Sequence, residues 1–135
     1  MKLKLSDIKN KHKGAPCVVA AHGPSLNSVK SEIESLQSKD KMLRISVNEW
    51  FDFFKQSPDY WVVSNSEFTI GASMVDDPLW NARGYPRNVF NNYNIPLFFN
   101  STADLTAAAF VENNLHCDYL PYDTRHFKLN TCFEI

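Results

Sequence analysis

The chain has 135 residues, 44% of them hydrophobic and 21% charged, and its 14 basic and 15 acidic side chains leave a net charge of −1. That length fits a single domain, and the composition is too apolar and too evenly charged for a disordered chain. So small a net charge supplies no general field for nucleic acid or an anionic membrane, so no nucleic-acid partner is expected and any anion site must be local. Cys17, Cys117 and Cys132 are odd in number, far apart and free of any CxxC pair, which favours reduced thiols over a zinc site. The lysines at positions 2, 4, 9, 11 and 13 are not followed by the apolar core of a secretory signal. No apolar run approaches the ~20 residues of a membrane span, so a cytoplasmic location without a span is the expectation.

In chain order, residues 1–13 form a basic N-terminal segment in which Leu5 and Ile8 predict one or two amphipathic turns before Gly14 and Pro16 break the pattern. Residues 14–135 are expected to form one α/β nucleotide-binding-like domain. Cys17 to Ala21 is a continuous run of small and β-branched residues, as in a strand covered on both faces. Leu26, Val29, Ile33 and Leu36 recur at steps of three and four and predict an amphipathic helix over 27–38. Met42 to Val47 is a second strand, Glu49 to Phe54 a short aromatic helix stopped by Pro58, and Tyr60 to Val63 a third strand. From Ser66 to Phe90, Gly71, Pro78, Gly84 and Pro86 interrupt any period, which predicts a long irregular connection with a turn or two of helix near 66–74. Ile95 to Phe99 is a fourth strand. Ser101 and Asp104 have the form of a capping box for a helix over 102–113, and Cys117 to Leu120 is a fifth strand. Repeated strand, loop and helix units with crossovers of a dozen or more residues predict a parallel sheet with helices on both faces.

Ligands of such sheets bind beyond the carboxyl ends of the strands, where helix N-termini present unpaired N–H groups. At the first of these ends stands His22-Gly23-Pro24-Ser25-Leu26. Gly23 allows a close approach, Pro24 stiffens the turn and Ser25 can cap the next helix, although Gly-Pro-Ser also reads as a plain strand-to-helix turn. It is neither GxGxxG nor a Walker A loop. The second and third strands run into Asn48 and into Ser64-Asn65, so Ser25, Asn48 and Asn65 are expected along one edge, either binding a ribose, base or sugar or capping the turns that follow. His22 reads equally as a phosphate or sugar contact and as a filler of the strand end. His12 falls in a solvated basic stretch, His116 reads as packing, and Arg125 beside His126 reads first as a salt bridge with Asp123. Asp76-Asp77 reads as well as an exposed turn as a metal pair, so no metal is assigned. Trp50, Phe51, Phe53 and Phe54 read as core before they read as a stacking surface.

An apolar strand running into GPSL, then an amphipathic helix, then a strand ending in Asn48, resembles the N-terminal half of bacterial sialyltransferases that use a CMP-sialic acid donor. It also resembles the related domain shared by archaeal 6-hydroxymethylpterin diphosphokinases and flagellin-modifying motility accessory factors. In the sialyltransferases the loop commonly reads G-N-G-P-S-L, and its backbone and Asn, with a second Asn after the next strand, hold the cytidine nucleotide. Gly23, Pro24, Ser25, Leu26 and Asn48 match that pattern, while Ala21 and His22 stand where the family has Gly and Asn. Residues 119–127, YLPYDTRHF, are similar to a stretch midway through longer members, which continue into a half that carries the catalytic His or Tyr residues.

The resemblance implies an α/β, Rossmann-like three-layer open sheet, mainly parallel and truncated relative to the family. It implies a nucleotide-sugar-binding, glycosyltransferase-like domain without its catalytic half, taking a CMP-sugar as substrate with no required cofactor. Two alternatives stay open. One is a pterin pyrophosphokinase-like transferase using ATP with Mg²⁺ held by Asp76, Asp77 or Asp123; the other is a non-catalytic binding protein that retains the fold.

Overall fold

The structure, a computed structural model, describes residues 1–64, 89–100 and 112–123. Five strands, β1 Cys17–Ala20, β2 Leu43–Val47, β3 Tyr60–Val63, β4 Leu97–Asn100 and β5 Tyr119–Tyr122, form one open sheet in which every pairing is parallel. Around it lie α1 Leu5–Ile8, α2 Leu26–Ser38, a single 3₁₀ turn over Trp50–Asp52 and α3 Val89–Tyr93. This is the expected α/β, Rossmann-like open parallel sheet. Most of the irregular connection predicted over 66–90 and of the helix predicted over 102–113, and the residues Asn65, Asp76, Asp77, Arg125 and His126, lie outside the described residues; Val89 and Phe90, expected to end the irregular stretch, instead open α3.

Strand order follows chain order without reversal, β1-β2-β3-β4-β5. Right-handed crossovers between strands added in one direction place all their connections on the same face. The elements that follow β1, α2, the 3₁₀ turn and α3, obey this and pack on one face. Through the register Ala20 to Ser46, Ser46 to Trp61 and Trp61 to Leu97, one face of the sheet collects Ala20, Arg44, Ser46, Trp61, Val63, Leu97 and Phe99, all buried. Phe90 of α3 stacks on Trp61 with ring centroids 4.5 Å apart, and Trp50 of the 3₁₀ turn meets the same ring edge-on at 5.9 Å. Leu26 and Ile33 of α2 complete the core. Trp61 is its centre: a fully buried indole removes roughly 200 Å² from water, about 5 kcal/mol of transfer free energy. Its Nε1–H donates to the Asn48 carbonyl at 2.8 Å, so the polar end of the ring is satisfied as well.

The opposite face, with Val19, Ile45, Tyr60, Val62 and Phe98, is half-buried to exposed. The N-terminal segment reaches it through His12, whose Nε2 lies 2.5 Å from the Tyr60 hydroxyl. The stretch expected to be solvated therefore touches the sheet, and Met1 to Leu3 extend it: Leu3 N–H donates to Tyr119 O at 2.7 Å and Tyr119 N–H to Met1 O at 3.1 Å. The outward-facing position next along β5 is Pro121, which has no N–H to leave unpaired at an edge.

Helix α2 ends for a local reason. Asp40 adopts a left-handed φ of 53°, and the amides of Asp40 and Lys41 fold back on the carbonyls of Gln37 and Leu36 at 3.0 and 3.1 Å. This pairing is the Schellman arrangement, here with Asp in the position usually taken by Gly. On the covered face of β2 the polar residue Arg44 is wholly buried. Its guanidinium lies 3.9 Å from the Phe54 ring centroid and Nη2 donates to Gln56 O, while Nε and Nη1 find no acceptor. Glu34 of α2 accepts the amides of Lys55 and Gln56 at 2.6 and 3.3 Å, which fastens the segment after the 3₁₀ turn over that cation.

Candidate functional site

The residues singled out at the strand ends gather at the carboxyl edge of the sheet. The register of β1 against β2 ends at Ala20 with Ser46, and just beyond it His22 meets Glu49, the residue after Asn48. From Ala21 the chain turns through Gly23 and Pro24 into Ser25, the N-cap of α2. Ser25 departs from the expected capping role: it sits at φ −63° and ψ −20°, and its side chain makes no cap hydrogen bond. The amides of Leu26 and Ser28 fold back on Gly23 O and Ser25 O at 3.0 and 3.2 Å. Among the described residues the Asn27 amide and the Ser25 hydroxyl keep their hydrogen-bonding capacity. Gly23 is not required by backbone strain or packing, since an added Cβ would meet only Ser25 Oγ at an ordinary 3.5 Å. A larger side chain there would project into the open approach to the loop.

Asn48 is held by five hydrogen bonds in a left-handed conformation, φ 56°. Its N–H donates to Val62 O at 2.9 Å, and its carbonyl accepts from Trp61 Nε1 and from Trp50 N–H at 2.8 and 2.9 Å. Its Oδ1 accepts from both the amide and the hydroxyl of Ser64 at 3.3 Å. The side chain therefore ties the ends of β2 and β3 together instead of capping the next turn, and only its Nδ2 end is left for a ligand. The line continues across the sheet: Asn100 Nδ2 donates to Ser64 O at 3.4 Å, and the Tyr122 hydroxyl, its proton affinity raised by burial, donates to Val63 O at 3.2 Å.

His22 joins the β1 loop to this line through a residue that sequence reasoning missed. Its Nδ1 lies 3.3 Å from Glu49 Oε2, the ring rests edge-on against Phe53 at 5.1 Å, and Nε2 has no partner among the described residues. Both side chains are about one-third exposed, so the pair contributes little to stability and is accessible to a ligand. Glu49 directly follows Asn48 at the end of β2, the place where dinucleotide-binding folds carry the acid that accepts from a ribose hydroxyl. That placement was the available signal. The site thus combines free donors at a helix N-terminus, an amide, an imidazole and a carboxylate acceptor. Such a set suits a ligand with both phosphate and hydroxyl groups.

The aromatic cluster is core, as read from the sequence: Trp50 and Phe54 are buried and pack on Trp61 and Arg44. Asn65 falls outside the described residues, and Ser64 beside it takes up the contact with Asn48. Among the described residues no helix is long and apolar enough to cross a membrane. The fold and the strand-end site define an α/β protein of the Rossmann-like class. No family model, curated protein or solved structure matches this chain.

Proposed function

We propose that this chain is a nucleotide-sugar-binding domain of the glycosyltransferase-like, sialyltransferase-like kind. The observation that carries the reading is the loop after β1, in which Ser25 and the Asn27 amide are unoccupied at the N-terminus of a 13-residue helix, beside Asn48 and Glu49. In this reading the donor's phosphate lies against Gly23, Ser25 and the Asn27 amide, where the helix end is positive. Glu49 accepts from the ribose, and Asn48 Nδ2 and His22 Nε2 face the base or sugar. The match of Gly23, Pro24, Ser25, Leu26 and Asn48 to the sialyltransferase pattern supports a nucleotide-sugar donor, of which a CMP-sugar is the first to test.

Calorimetric titration with CMP, CMP-sialic acid, a UDP-sugar and ATP, each with and without Mg²⁺, tests this. The expected result is binding of CMP and CMP-sialic acid, weakened about tenfold or more by Gly23→Val and by Glu49→Ala, with circular dichroism unchanged because neither residue holds the fold. Binding of ATP alone, dependent on Mg²⁺, would favour the pterin pyrophosphokinase-like reading instead. A chain that binds none of the four is a binding protein for something else, and the proposal is then wrong.

A further inference from the structure

Among the described residues β1 is an open edge of the sheet. Leu43 N–H of β2 donates to Pro16 O at 2.9 Å, so the backbone groups of residues 16, 18 and 20 face β2. By strand alternation the N–H and C=O groups of Cys17 and Val19 point away from the sheet, and they and those of Ala21, just past the strand, have no partner among the described residues. The other side of the sheet differs, since there Met1 to Leu3 lie along β5. Natural proteins guard open edges with charge, proline or a bulge. Residues 14–21, GAPCVVAA, carry no charge, and their proline faces inward. Val19 is 64% exposed and Val29, on the adjoining flank of α2, 40%. Between strand and helix lies a recess of about 320 Å³ lined mainly by Val18, Ala20, Leu26, Val29 and Ile33.

We propose that this edge is a self-association surface on which β1 pairs antiparallel with β1 of a second copy, joining two five-stranded sheets into one. An open strand edge specifies its occupant's chemistry, because only another extended backbone supplies donors and acceptors at the same repeat. Symmetry selects a second copy. The three outward-facing residues are spaced by two and centred on Val19, so a two-fold axis normal to the sheet sets Val19 against Val19 of the partner subunit and Cys17 against Ala21 of the partner subunit. Each of these pairs is of the hydrogen-bonded type, about six main-chain bonds in all. The axis also keeps the helix-covered faces on the same side, which lets the cores run on from one sheet to the other. Because residues 14–21 are uncharged, self-pairing opposes no like charges, and a net charge of −1 per chain adds little repulsion.

Light scattering on the eluting full chain over roughly 5–200 µM, a range set by mass action, tests the proposal. The expected mass moves from 15.5 kDa towards twice that value as concentration rises. Val19→Lys should remain at the monomer mass with unchanged circular dichroism and melting temperature, since the side chain it replaces is exposed. As a geometric check, Cys17→Ser/Val19→Cys should form a disulfide between the two residue-19 positions on mild oxidation, identified by peptide mapping. Opposed residues of a hydrogen-bonded antiparallel pair have Cα atoms about 5.5 Å apart, within disulfide reach. The native Cys17 pair, displaced by four residues along the strands, is over ~13 Å apart and should not link. A wild-type chain that stays monomeric throughout, a Val19→Lys chain that still dimerises, or a failure to link at position 19 overturns the proposal.

Discussion

Replacing Arg44 by Met should leave the fold nearly as stable as it is, although Arg44 is the most deeply buried charge among the described residues. Burial pushes its guanidinium down from its ordinary value to about 10, opposed by the nearby carboxylates of Glu34 and Asp59. At about 1.4 kcal/mol per pH unit, keeping it charged costs about 3 kcal/mol. Against this stand one charge-assisted hydrogen bond to Gln56 O, about 2 kcal/mol, and the contact with the Phe54 ring, about 1 kcal/mol. The two sides cancel to within about 1 kcal/mol, and Met keeps most of the volume. Arg44→Ala, which also empties the site, should cost about 3–5 kcal/mol. Urea unfolding followed by tryptophan fluorescence measures both. The pH dependence separates the charge from the packing. Proton affinity is depressed in the folded chain, so above about pH 10 the unfolded chain binds more protons and wild-type stability gains with rising pH, whereas Arg44→Met lacks this gain. The gap between them should shift by about 1 kcal/mol in favour of wild type from pH 8 to pH 11. An Arg44→Met loss above about 3 kcal/mol, or a gap that does not move with pH, would refute the reasoning.

Asn48→Ala should destabilise by about 2 kcal/mol, the sum of left-handed strain and the lost hold on Ser64, while Asn48→Gly, which relieves the strain, should lose about half as much. Thermal unfolding ranks the two, and equal losses would mean that φ at this position is not strained. Cys117 is buried, with its thiol pushed up to about 11, whereas Cys17 is exposed. Iodoacetamide at pH 8 should therefore label Cys17 in the native chain and Cys117 only in urea, as read by peptide mapping; comparable native labelling of both would contradict the packing of β5.

Much of the fold was legible because its signals are local. The run CVVAA, the steps of three and four from Leu26 to Leu36, and YWVV mark β1, α2 and β3 to within a residue or two. The last two strands begin two residues later than their apolar runs, at Leu97 and Tyr119. Pro96 and Asp118 serve only as acceptors before the ladders start. Strand order was not legible, because hydrophobic period says which faces are buried but not which strand lies beside which. Nor was Arg44, whose place in MLRISV reads as an ordinary exposed position until Phe54 and Gln56 close over it. At the site the sequence marked Gly23, Ser25 and Asn48 by their position after strands. It did not mark Glu49, whose one signal was its place after the second strand and not a local motif. Its pairing with His22 exists only once two strands lie side by side.

The contact between Met1 to Leu3 and Tyr119 bears on how this chain assembles. Among the described residues every other strand pairing joins consecutive strands, so the sheet can grow one unit at a time in the order in which the ribosome delivers them. The N-terminal residues must wait for β5, across a separation of 116 residues whose closure entropy, if made first, would be roughly 4 kcal/mol. Once the intervening strands are in place the two ends are already near each other and little of that penalty remains. The N-terminus therefore acts as a seal on the completed sheet, the last part to close in folding and an early part to open.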